Sequence, residues 1–109
     1  MAFDERLAER VRNVLRNERS LKEKRMFGGL TFMVNGHMCC GVLKKDLVLR
    51  LGPEDYTKCI AHPHVRPMNF TGRLMRGFLY VSPAGIRTAP QLKAWISRSL
   101  RFVSTLPTK

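Results

Sequence analysis

Asn35-Gly36 is the dipeptide that most narrows what this chain can fold into. A two-residue hairpin turn of the kind that matches strand twist needs positive φ at both central residues, and asparagine followed by glycine adopts that geometry at the least steric cost. Before it, Leu30, Phe32 and Val34 alternate with Gly29, Thr31 and Met33; after it, His37 to Leu43 continues without a break. An apolar residue at every second position matches the repeat of a half-buried strand, so two antiparallel strands are predicted across the turn. Lys44-Lys45-Asp46 is a second polar turn, and Leu47, Leu49 and Leu51 share one face of a third strand, which completes a three-stranded meander.

Helical spacing appears on either side of this sheet. Phe3, Leu7, Val11, Val14 and Leu15 recur on one face behind Asp4, whose side chain can cap the first free amides, and predict a helix over about Glu5 to Asn17. Ser20 to Lys24 reads as a short polar connection. Gly52-Pro53-Glu54-Asp55 is a helix start, with proline where its missing N–H is harmless and acids near the positive end of the helix dipole. That second helix carries Tyr56 and Ile60 on one face and stops at His62-Pro63-His64. Arg66 to Phe70, a turn at Thr71-Gly72-Arg73, and Leu74 to Ser82 predict a second hairpin, with Pro67 at an edge or a strand start. Thr88 followed by Gln91 has the spacing of a capping box, and the helix after it should bury Leu92, Trp95, Ile96, Ser99 and Val103.

The order is α-β-β-β-α-β-β-α. It predicts an α+β, two-layer domain whose five-stranded antiparallel sheet carries the helices packed on one face. A chain of 109 residues supports one core, so residues 1–109 are expected to form a single domain. No segment reaches the roughly 18 apolar residues of a membrane span, and the charged N-terminus has no apolar signal core. Three cysteines, two of them adjacent, do not make a secreted disulfide framework. Reduced thiols, a cytoplasmic location and no membrane partner are the expectation.

The composition departs most from the ordinary in its net charge of +12. Thirteen of the twenty cationic residues are arginines, whose planar fork suits phosphates and carboxylates. Residues 86–109 hold five bases and no acid. Arg73, Arg76, Arg87, Arg98 and Arg101 are therefore the candidate anion or nucleic-acid contacts. A direct nucleic-acid binder also needs a reading element. Phe78 and Tyr80 share one strand face and have the shape to stack on bases, but core residues beneath a helix are the stronger reading.

Other chemistry finds less support. Phe27-Gly28-Gly29 is followed by a strand instead of the lysine and helix a phosphate loop requires, so the glycines read as a bulge or close backbone packing. His37, Cys39, Cys40, Cys59, His62 and His64 are metal-ligand types, yet simple alternation would put His37 and Cys39 on one face and Cys40 on the other, and no second paired motif exists. Asp46, Glu54 and Asp55 are the only acids in the middle of the chain, two of them explained by the helix start, which leaves paired-carboxylate catalysis without a basis. No catalytic set, metal or cofactor is expected.

Four segments together, Met26-Phe27-Gly28-Gly29-Leu30, Asn35-Gly36-His37-Met38, Arg50-Leu51-Gly52 and Arg66-Pro67-Met68 through Gly77, make the chain resemble the N-terminal domain of the TfoX/Sxy family. The resemblance covers nearly the whole chain. It implies an antiparallel sheet flanked by helices and a part in bacterial regulation, where full-length relatives promote competence-gene transcription alongside the cyclic-AMP receptor protein. It implies no catalytic residues. The expected function is a free-standing, non-enzymatic regulatory module acting through an unidentified protein partner in the transcription machinery or its regulators; the alternative is direct nucleic-acid binding through the arginine-rich surface.

Overall fold

The computed structural model describes residues 3–18, 20–26, 28–70 and 73–107, and for 69, 70 and 73–76 the backbone only. Asp4 accepts hydrogen bonds from the amides of Arg6 and Leu7 and so starts α1 (Glu5–Leu15) as expected. The strands are β1 (Leu21–Met26), β2 (Gly29–Val34), β3 (His37–Leu43), β4 (Asp46–Arg50), β5 (Val65–Phe70) and β6 (Arg73–Val81). α2 (Pro53–Cys59) lies between β4 and β5, and a 3-10 turn (Pro83–Gly85) leads into α3 (Ala89–Val103). Thr88 and Gln91 form the capping box of α3 with both reciprocal hydrogen bonds present.

The sheet is antiparallel throughout, in the order β1-β2-β3-β4-β6-β5. It has six strands where five were expected, because Leu21–Met26 is a strand and not a connection. Its sequence hides this. β1 pairs only with β2, its central residues are exposed, and an edge strand with solvent on both faces has no need of apolar alternation. The Asn35-Gly36 turn does adopt positive φ at both residues, 53° and 82°.

Cross-strand neighbours share a face, so the register defines the layers. Phe32, Cys40, Leu49 and Leu79 form one row across four strands, and Leu30, Val42, Leu47 and Val81 form the next. Both rows join Leu7, Ala8, Val11 and Leu15 of α1 and Leu92, Trp95, Ile96 and Val103 of α3 in one buried core. At about 1.5–3 kcal/mol for each fully buried large apolar side chain, these rows dominate the stability of the fold. Helix propensity is secondary by comparison.

The opposite face is also partly closed. Met26 of β1 and Met68 of β5 belong to the two edge strands, yet both line one small cavity of about 10 Å³ with Thr31, Gly41 and Val48. The sheet therefore curls until its edges approach across this face, and Met68 is almost wholly buried there. Glycine permits the curl: a Cβ on Gly41 would stand 2.8 Å from the Leu30 carbonyl oxygen, and one on Gly29 would press on the carbonyl of Val42. No described helix is long and apolar enough to cross a membrane.

Candidate functional site

The cysteines and histidines are taken up by the fold. Simple alternation fails at β3, because the register slips opposite Phe32-Met33: Met33 pairs with Met38 and Phe32 with Cys40, leaving Cys39 as the extra residue of a bulge. Cys39 and Cys40 consequently enter the same core beneath the helices, against the expectation that they point to opposite faces. The hydrogen bond with Cys39 and complete burial hold the Cys40 thiol well above its ordinary pKa. Burial raises the Cys59 thiol as well. A thiol held protonated is a poor nucleophile and a poor metal ligand.

His37 shares a hydrogen bond through Nε2 with the carbonyl of Pro107, which ties the chain after α3 to the hairpin. The His62 and Trp95 rings pack edge-to-face with centroids 5.2 Å apart, while Trp95 donates from Nε1 to the Gly85 carbonyl at 3.1 Å. His64 donates its backbone N–H to Nδ1 of His62 at 3.2 Å. These contacts fix the junction of α2, the 3-10 turn and α3.

Acidic groups are mostly committed to local partners. Glu23 accepts two hydrogen bonds from Arg12, at 2.7 and 2.9 Å, and that contact lowers its pKa. Glu9 pairs with Arg12 from the preceding turn, and Asp46 pairs with Arg66. Asp55 of α2 lies 3.4 Å from Arg98 and 3.9 Å from Arg101. Against a total charge of +12, this leaves a large surplus of cations on the surface.

Of the five arginines singled out in the sequence, the three with described side chains lie toward opposite ends of α3. Asp55 gathers Arg98 and Arg101 on the last turns of α3 and partly offsets them, and Arg98 also sits over the Trp95 ring. Arg87 precedes the first turn, and a 15-residue helix is about 22 Å long. The side chains of Arg73 and Arg76 lie outside the described residues. Phe78 and Tyr80 are both half-buried and neither lies in the core beneath a helix: Tyr80 is on the face away from the helices under Arg66, while Phe78, at the end of the sheet, has Arg50 over its ring and faces the ends of α2 and α3. Tyr80 thus has one ring face covered at 4.6 Å by a guanidinium.

Cations come together elsewhere, where α1 meets the segment leading into α3. Arg6, Arg10, Lys45 and Arg87 line an open groove of about 590 Å³, along with Asp4 and Glu9. Asp4 is occupied by the α1 cap and Glu9 by Arg12, so the groove's charge is positive. Arg10 donates to the carbonyls of Ile86 at 2.6 Å and Arg87 at 3.3 Å and pins the loop to α1. A second groove of about 600 Å³ shares Arg10 and adds Arg16 and Lys93, with no acidic residue in its lining. Of these six cations, sequence reasoning singled out only Arg87. The other five lie on an apparently solvated helix face, on a strand turn and within α3, and only tertiary packing of α1 against α3 aligns them.

The profile described as the TfoX N-terminal domain matches residues 13–103, most of the 109-residue chain. No curated protein matches it.

Proposed function

From a chain that belongs to the TfoX N-terminal domain family, we propose a non-enzymatic regulatory module that adjusts transcription by docking a protein partner of acidic surface on the paired grooves between α1 and α3. One observation carries this reading: six cations from four separate parts of the sequence converge there, while the acids nearest them are engaged elsewhere. Charge placed this way speeds encounter with an oppositely charged surface and selects against basic ones. The Cys40 and Cys59 thiols, whose pKa values are raised, are poor nucleophiles that do not compete with a binding role.

Direct nucleic-acid binding is the second reading, favoured by the run of cations from one groove to the next across Arg10. The discriminating experiment is a pull-down from a bacterial lysate with and without nuclease, using the natural chain and an Arg6→Glu/Arg87→Glu double variant. Capture of RNA polymerase or a transcription regulator that survives nuclease and disappears with the double variant supports the leading reading. Capture of nucleic acid alone, with affinity falling steeply as salt rises, replaces it with the second. Equal capture by both proteins refutes both.

A further inference from the structure

A different pocket, sharing no residue with the cationic grooves, forms where β4 and β6 end against α2 and the last turn of α3. It encloses about 530 Å³ and is walled by Tyr56, Phe78 and Phe102 around Arg50. Two glycines shape it. Gly77, within β6, has φ of 83°, and its carbonyl accepts from the Leu51 amide at 2.7 Å, which holds β6 against the residue that follows β4. At Gly52 any Cβ would come within 2.9 Å of the Phe102 ring, so the absence of a side chain lets that ring close over the pocket. Arg50-Leu51-Gly52 and Gly77 belong to separate sequence segments, and here they build a single wall.

Arg50 is the unusual member. Its guanidinium lies over Phe102 at 5.5 Å and over Phe78 at 5.9 Å, and none of the ion pairs among the described residues involves it. A guanidinium attracted by ring faces and paired with no acid keeps N–H donors available to a planar acceptor. An apolar cavity of a few hundred Å³ with one fixed charge is the usual form of a small-molecule site. We propose that this pocket binds a small carboxylate with a ring-sized apolar body, the carboxylate in the plane of the Arg50 guanidinium and the body against Tyr56, Phe78 and Phe102.

The test is an amide-resolved NMR titration of the 109-residue chain with 3-phenylpropionate and, separately, with 3-phenylpropionamide, which keeps the ring and lacks the charge. The acid should shift the amides of Leu51, Thr57, Gly77 and Phe78 with a Kd of about 1 mM, as suits so small a ligand. The amide should bind about tenfold more weakly, the factor expected when a charge-assisted hydrogen bond is lost. Arg50→Gln should remove the difference between the two ligands. Phe102→Ala, at a half-buried position, should weaken both and serves where Arg50→Gln fails to fold. Equal binding of acid and amide to the natural chain overturns the proposal, as do shifts confined to the α1–α3 grooves or no shift at about 20 mM. Because the grooves and the pocket are separate, loss of the pocket site would leave the docking proposal standing, and the reverse also holds.

Discussion

Replacing Gly41 by alanine separates two accounts of the sheet by the sign of the result. If β3 were an ordinary strand, alanine would stabilise it by roughly 0.5–1 kcal/mol, because glycine loses more backbone freedom on folding. The methyl would also have the small cavity beside Thr31, Val48 and Met68 in which to sit, worth about 0.8 kcal/mol for a buried carbon. Geometry argues the other way. The new Cβ would stand 2.8 Å from the Leu30 carbonyl oxygen, with Thr31 Cα at 3.5 Å. Both neighbours are backbone of the adjoining strand, so no side chain can swing aside.

Relief requires β2 and β3 to move apart by some tenths of an ångström in the middle of the sheet. Overpacking of this kind costs about 1–3 kcal/mol, and each ladder hydrogen bond that weakens contributes up to about 1 kcal/mol. Offsetting the propensity gain leaves a net loss of about 2 kcal/mol. With an unfolding entropy near 2.1 cal/mol/K per residue over 109 residues, the melting temperature should fall by roughly 9 °C. Urea denaturation followed by circular dichroism, beside a thermal melt, measures both quantities, and an unchanged m-value assigns the loss to the native state. Gly29→Ala, whose Cβ meets the Val42 carbonyl more closely still, should lose more. A Gly41→Ala protein as stable as the natural one, or more so, would refute the argument that the sheet curls onto its glycines.

Three further outcomes follow from single contacts. Glu23 has its pKa lowered below 4.5 in the folded state by Arg12, so its contribution is complete above that value and fades as pH falls through the lowered one. With both side chains about a third exposed, the pair is worth only about 0.5–1 kcal/mol, and the stability curves of the natural chain and Glu23→Gln should converge as pH falls below the ordinary carboxylate range in acid titrations. Cys39 and Cys40 should resist iodoacetamide at pH 8 until the protein unfolds, with denaturant-dependent labelling tracking the circular dichroism; rapid labelling of the native state would contradict their burial. Asp4→Ala removes the acceptor for the Arg6 and Leu7 amides and should cost about 1 kcal/mol in the same denaturation assay, while Asp4→Asn should retain most of it.

Local rules were legible wherever one residue type answers one geometric demand. Asn35-Gly36 gave its turn, Asp4 and Thr88 gave their caps, Pro53 gave a helix start, and the buried face of α3 contains all five residues that helical spacing selects. Features set by a partner strand were not legible. β1 reads as a linker because an edge strand can satisfy one side of its backbone with water, so its composition carries no alternation. The Cys39 bulge is a mismatch between two strands, visible in neither one alone, and it reverses the face on which Cys40 or Cys39 would be placed by counting. Functional surfaces fall in this second class for the same reason. Arg6, Arg16, Arg87 and Lys93 become one surface only when α1 lies against α3, and Arg50 gains its ring-walled setting only when Gly52 admits Phe102. Glycine at 52 therefore carries information about residue 102, fifty positions away, and Gly52→Ala should disturb ligand binding at Arg50 through the Phe102 ring, although its φ of −69° is one that any residue adopts.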